Sequence, residues 1–300
     1  MQRELLVAVL AGIGGMIGWG SADFFAKKTV DRVGSIVSLV WAHFFGTYIL
    51  ILIAISQLVF FHKAFHFPSS PPQWVGLIFF GVLQMIVYWL VYEGFGKGQL
   101  AVLNPVFASF TGVVALISIL FLGESGGFAK FFPLGVIFLG IMLISLDTKA
   151  LFSLRLKLDN IPGLKEVGIA TVLASFWTLG WSKFIARQDW VSYALFMYLF
   201  MTIAAFVFSK LMKVKIGAVK SDLWKFLILI GFGEVIAYLA ISLGYSATSL
   251  VSIVALISGA FSLPTILLAR IFLKERVNLD QTIGTLVIIF GIIALSVLNK

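Results

Sequence analysis

The sequence predicts an all-α integral membrane protein, with ten transmembrane helices arranged as two inverted five-helix repeats. Three observations predict it. The first is composition: 61% of residues are hydrophobic and only 12% charged, with a mean hydropathy of +1.08. A soluble domain carries about twice that charge. The second is the length of the apolar runs, since roughly 20 apolar residues cross a bilayer as a helix. The third is a likeness between the two halves of the chain, residues 1–150 and 151–300, which together make one domain.

The runs read as spans over 5–25, 36–60, 74–93, 100–122, 131–147, 165–185, 191–210, 223–245, 249–272 and 280–298. The first is too long for a signal peptide and lacks a small-residue cleavage site after a short core, so it counts as a span. Its "GIGGMIG" (12–18) has no strand before it and reads as helix-packing glycine, not as a phosphate cradle. The Pro/Ser-rich "HKAFHFPSSPPQW" between spans two and three is a solvent-facing turn. Trp74, Trp190 and Trp224 stand at span starts, where an interfacial aromatic belt places them. Asn104-Pro105 in span four and Pro264 in span nine predict kinks, because proline removes a backbone donor. Such breaks are tolerated where freed carbonyls find partners or line a cavity. Ser258, Gly259 and Ser262, just before Pro264, either let span nine pack closely or expose its backbone to solute. Gly135, Gly140, Gly284 and Gly291 allow spans five and ten to pack closely. The connection 148–163 divides the chain near its middle.

The repeat is read from aligned residues. At a constant offset, Gly81, Ile86, Tyr88 and Gly94 meet Gly231, Ile236, Tyr238 and Gly244, and Gln84 meets Glu234. Upstream, Gly20, Phe24, Ala26 and Lys27 meet Gly180, Phe184, Ala186 and Arg187. Downstream, "LGE" at 122–124 meets "LKE" at 273–275. Five spans per unit is an odd number, so the second unit enters the membrane upside down. Two such halves can exchange roles and open a central site alternately to either side.

The net charge of +9 does not point to nucleic acid, because the basic residues sit at span ends and in short connections. That placement suits anionic lipid head groups. Of the 22 lysines and arginines, 16 fall in the connections after odd-numbered spans or at the span ends that flank them. The positive-inside rule then puts those connections in the cytoplasm and both termini outside. With no cysteine, disulfides and thiolate metal sites are excluded. HExxH and GxxxxGKS/T motifs are absent, so neither an enzyme nor a cofactor or metal is expected.

Glu234 is the residue that most needs a reason. An acidic side chain at mid-bilayer costs about 2.5–3.5 kcal/mol on insertion scales, so it faces the bundle interior, water or a partner. It can load and release a proton or contact a cation. Tyr238 and Tyr245 continue its helix face, and Gln84, Tyr88 and Tyr92 form the matching stripe on span three. Trp177 and Trp181 share a face of span six, and Trp19 stands on span one; indole faces attract cations. Other roles for these residues stay open: helix glue for Glu234, packing for the tryptophans. Asp23–Lys27 and Glu93–Lys97 have the spacing of helical ion pairs. Lys183 and Arg187 close span six, Arg270 snorkels near the end of span nine, and His43 reads as a packing residue.

The chain resembles the EamA family of the drug/metabolite transporter superfamily over essentially its whole length. The resemblance is carried by "GWGSADFFAKK" (18–28), "GQLAVLNPVFASF" (98–110) and the paired "FLGE" (121–124) and "FLKE" (272–275) turns. It implies a ten-helix carrier with a central cavity lined by spans 1, 3, 4, 6, 8 and 9. It also implies cytoplasmic termini, opposite to the charge bias. The expected function is secondary transport of an amino acid or other amine-bearing metabolite across the cell membrane by alternating access, coupled to protons. Glu234 is the expected coupling group, and Gln84, Tyr88, Tyr92, Tyr238, Trp19 and Trp177 the expected solute contacts. Efflux of hydrophobic cations is the alternative, and a channel or membrane scaffold the reading from another class. Expected partners are the solute, lipid and protons, not nucleic acid. The sequence sets no oligomeric state.

Overall fold

A computed structural model describes residues 2–98, 100–121, 128–145, 161–217, 219–273 and 279–298. The elements are α1 (Gln2–Val33), α2 (Ser35–Phe60), α3 (Pro71–Lys97), α4 (Leu100–Ala108), α5 (Phe110–Phe121) and α6 (Phe128–Ser145). They continue with α7 (Leu164–Phe184), α8 (Trp190–Leu211), α9 (Ser221–Ala247), α10 (Val251–Gly259), α11 (Ser262–Leu273) and α12 (Leu279–Leu298). No strand occurs among the described residues. Spans four and nine are each two helices, α4–α5 and α10–α11, so the twelve helices among the described residues correspond to the ten expected spans. Five of them, α1, α2, α3, α8 and α9, are by themselves long and apolar enough to cross a bilayer. The turns at 122–127 and 274–278, and most of the connection 148–163, lie outside the described residues. So does the side chain of Arg270.

Local chemistry sets the helix ends. Gly34, at φ 83, takes the left-handed backbone that separates α1 from α2. Pro71 and Pro72 start α3, where a missing N–H costs nothing, and Gln73 Oε1 accepts from the N–H groups of Ser69 and Ser70. Asp189 caps α8 by accepting from the Ser192 N–H at 2.8 Å. α1 runs eight residues past its expected end, to Val33, and Lys27 and Asp31 pair along this extension.

The two breaks differ in cause. Pro264 has no N–H to offer Ala260, whose carbonyl instead accepts from Leu263 at 2.9 Å, so the chain breaks just before α11. Pro105 lies inside α4, and the break there comes at Ser109. The Val106 carbonyl accepts from Ser109 Oγ and Thr171 Oγ1, and the Ala108 carbonyl from Thr111 Oγ1. Serine and threonine thus satisfy backbone that an unbroken helix would have bonded.

Large apolar side chains such as Ile55, Phe79, Phe176, Val207 and Phe290 face outward, and polar ones such as Asp23, His43, Gln84 and Glu234 face inward. This is the arrangement that a lipid solvent demands. α1 packs against α9 and against the broken pair α10–α11; α7 packs against α3 and against α4–α5. α2 packs on α9, and α8 on α3. α2 also pairs with α8, and α6 with α12. The "GIGGMIG" glycines do pack helices: Gly12 meets Ile257, Gly15 meets Ser258, and Gly18 meets the Gly233 carbonyl. Gly140 and Gly291 bring α6 and α12 together, against Ile288 and Ile137.

Candidate functional site: a cavity and a sealed polar cluster

α2 and α9 approach closely because Gly231 lies against the Ala42 carbonyl and Gly46, where a Cβ would have no room. That contact turns His43 of α2 toward Glu234 of α9. Both are fully buried. Glu234 Oε1 accepts from the Tyr92 hydroxyl at 3.2 Å, and Oε2 from the Tyr198 hydroxyl at 2.5 Å. His43 Nε2 lies 3.3 Å from Oε2. The imidazole stacks on Tyr198, with ring centroids 5.3 Å apart, and meets Tyr88 edge-on at 5.3 Å. Tyr198 reaches the carboxyl only because Gly46 leaves it space. Four helices, α2, α3, α8 and α9, thus converge on one carboxyl.

A small cavity of about 20 Å³, room for about one water in this conformation, lies beside this cluster. Trp19, Asp23, Gln84, Tyr88, Trp177 and Phe261 form much of its wall, with Thr178, Phe107 and Phe110. These residues come from spans one, three, four, six and nine; no residue of span eight is in the wall. Tyr238 of span eight stands one layer behind, bonded by Gln84 Nε2 at 2.7 Å and edge-on to Trp19 at 6.2 Å and Trp177 at 5.9 Å. The Trp177 N–H is used by the Phe80 carbonyl at 3.0 Å, which fixes the indole as a wall. Trp181 stacks on Trp177 at 5.6 Å. Trp19 Nε1 and Gln84 Oε1 are buried with no hydrogen-bond partner among the described residues.

Asp23 is the carboxyl in the cavity wall. Asn104 Nδ2 donates to it at 3.5 Å, and Ser262 Oγ in turn donates to Asn104 Oδ1. The link joins α1 to α4 and to the first residue of α11. Asp23 and Glu234 are close enough to interact electrostatically.

The site residues expected from sequence divide in two. Trp19, Gln84, Tyr88 and Trp177 line the cavity. Glu234, Tyr92 and Tyr238 lie buried behind it. The expected Asp23–Lys27 ion pair does not form: Lys27 bonds Asp31 at 2.8 Å and the Phe95 carbonyl at 2.9 Å, while Asp23 faces inward. Glu93–Lys97 does form, at 3.5 Å, and Lys97 also reaches Glu166 at 2.8 Å. With Ser35–Glu93 and Arg32–Asp222, these contacts tie α1, α2, α3, α7 and α9 at one end of the bundle. His43, expected as peripheral packing, is in the cluster. Asp23 and Tyr198 were not singled out as site residues. Asp23 carried a signal, a carboxyl within a glycine- and aromatic-rich stretch of span one; Tyr198 carried none beyond being a hydroxyl in an apolar run.

A solved structure titled only as the crystal structure of a protein is 16% identical and covers 96% of this chain and 95% of its own, with a TM-score of 0.74. At that identity the likeness is one of fold alone. No protein of curated function matches. The model of the EamA-like transporter family matches residues 6–146 and again 167–297. Together with the apolar helices and inward-facing polar residues, that match makes this chain a multi-pass membrane protein belonging to the EamA-like transporter family, membrane transporters of the drug/metabolite type and not enzymes.

Proposed function

We propose that the chain is a secondary carrier for a small amine-bearing organic solute, an amino acid or a related metabolite, working by alternating access. The observation that carries this reading is the cavity itself: a buried carboxyl, Asp23, in a box of aromatic rings. A carboxylate with indole and phenol faces around it attracts an ammonium group. Gln84 Oε1 can accept from the same ammonium, and Trp19 Nε1 can donate to a carbonyl or carboxylate of the solute. Glu234, one layer behind, is the group proposed for proton coupling, and it acts on Asp23 through electrostatic reach.

Two inverted five-helix units, residues 1–150 and 151–300, fit this mechanism. The family model matches each half separately. The packing is also reciprocal: α1 on α9 and α10–α11 has its counterpart in α7 on α3 and α4–α5. Helix breaks fall in span four and in span nine, its counterpart. Efflux of hydrophobic cations is a second reading, favoured by one observation: among the described residues, no lysine or arginine is in the cavity wall to meet a solute carboxylate.

The test is a thermal-shift panel of amino acids, polyamines, quaternary amines and sugars on purified protein and on Asp23→Asn. A ligand at 100 times its Kd adds about 2.7 kcal/mol of stability. An amine that stabilises the wild type and not the variant supports the reading; stabilisation by sugars alone rejects it. Orientation follows the charge bias, with termini outside. Single cysteines at Ser69 and Ser153 test it in intact cells, since the chain has no other: labelling at Ser69 alone is expected, and labelling at Ser153 alone reverses the assignment.

A further inference from the structure

Two groups face each other in the sealed cluster in a way that requires a proton. His43 Nδ1 lies 2.7 Å from the Leu39 carbonyl. A carbonyl only accepts, so Nδ1 carries hydrogen. In the neutral ring Nε2 is then a bare lone pair. It stands 3.3 Å from Glu234 Oε2 and has no hydrogen-bond partner among the described residues. An ionised carboxylate is also acceptor-only. Tyr92 and Tyr198 donate to the carboxyl and give nothing to Nε2. Without a further proton, two lone pairs would oppose each other and a net negative charge would be buried. With two, a net positive charge would be buried. Both arrangements are costly at full burial.

We propose that His43 and Glu234 together form a proton-binding site that holds one proton between them in this sealed conformation. The proton belongs to the pair: a carboxylic acid donating to Nε2 and an imidazolium facing a carboxylate are its two forms. The groups around it are Asp23 from α1, Tyr88 and Tyr92 from α3, Tyr198 from α8 and Tyr238 from α9. The phenols are neutral donors or ring contacts, and among the described residues Asp23 is the other carboxyl that interacts with Glu234. The inference deepens the reading of Glu234 as the coupling group by giving the proton a second holder, on a different helix. Separation of α2 from α9 would then release it.

The experiment needs no solute. Chemical unfolding of the full chain in detergent micelles is followed from pH 5 to 9 for wild type and Glu234→Gln. In an unfolded chain histidine titrates near about 6.5 and glutamate near about 4.3. Between those values the unfolded pair also holds one proton, so wild-type stability is level. Above about pH 6.5 the unfolded pair has lost its proton and the folded pair has not. Stability then falls as pH rises, by about tenfold in the unfolding equilibrium constant per pH unit. Glu234→Gln offers Nε2 an amide N–H and holds no extra proton, so its stability rises up to about pH 6.5 and is then level. Curves that diverge in this way support the site; curves that run parallel above pH 7 overturn it. If the variant does not fold, nitrogen NMR of wild-type His43 at pH 8 decides: a protonated Nδ1 with Nε2 bonded to a proton supports the site, and a free Nε2 overturns it. The coupling reading fails separately. If the curves diverge but amine binding in Glu234→Gln keeps the full pH dependence of the wild type, the proton site stands and its link to transport does not.

Discussion

Asp23 and Glu234 are both buried carboxyls in the core of one helix bundle, and they are bound in different ways. Glu234 is fully enclosed, with each oxygen held by a tyrosine and a histidine beside it. Asp23 has one long hydrogen bond from Asn104 and otherwise faces a cavity. A carboxyl whose partners all come from the protein is organised for the closed fold. A carboxyl with valence to spare is organised for something that arrives. The difference lies in the neighbours and not in depth, and it separates holding a proton from meeting a solute.

Substitutions sharpen the contrast. Glu234→Ala leaves His43, Tyr92 and Tyr198 around an empty space, and should lower stability by about 3–5 kcal/mol in an unfolding titration. Asp23→Asn should instead cost binding: losing a charged partner weakens an amine by about 1.5–3 kcal/mol, read as a raised Kd, with stability nearly unchanged. A variant pair with these effects exchanged would refute the division. Tyr198→Phe removes one donor while Tyr92 still holds the carboxyl, so about 1.5 kcal/mol of stability should be lost. Lys97→Ala, at the exposed end of the bundle, should cost less than about 1 kcal/mol, because such ion pairs are screened by water.

The sequence carried the coarse picture well. Apolar runs gave the ten spans to within a few residues, except that α1 continues to Val33, and a lone glutamate in such a run marked α9. It misassigned Asp23 for a physical reason. Lys27 has an acid four residues away on either side, and local spacing favours the acid-first pair. Each four-residue step turns about 40° around the helix axis, so Asp23 and Asp31 point in different directions, and burial decides between them. Lys27 and Asp31 stay partly exposed together; Asp23 is buried. His43 and Tyr198 were illegible because their role depends on which face α2 and α8 present. That face is set by contacts at Gly231 and Gly46, far apart in sequence. Pro264 explains the break beside it, whereas Pro105 lies inside α4 and the break at Ser109 is accompanied by hydroxyl contacts from Ser109 itself, α5 and α7.

The measurement that bears most directly on the division of labour is amine binding across pH 5 to 8, by thermal shift, in wild type, Asp23→Asn and Glu234→Gln. An amine that stabilises the wild type should lose its effect in Asp23→Asn at every pH. In Glu234→Gln it should still bind, and its affinity should change less with pH than in the wild type. Binding that ignores Asp23 and vanishes only in Glu234→Gln would contradict the account, and would make Glu234 the solute's own partner.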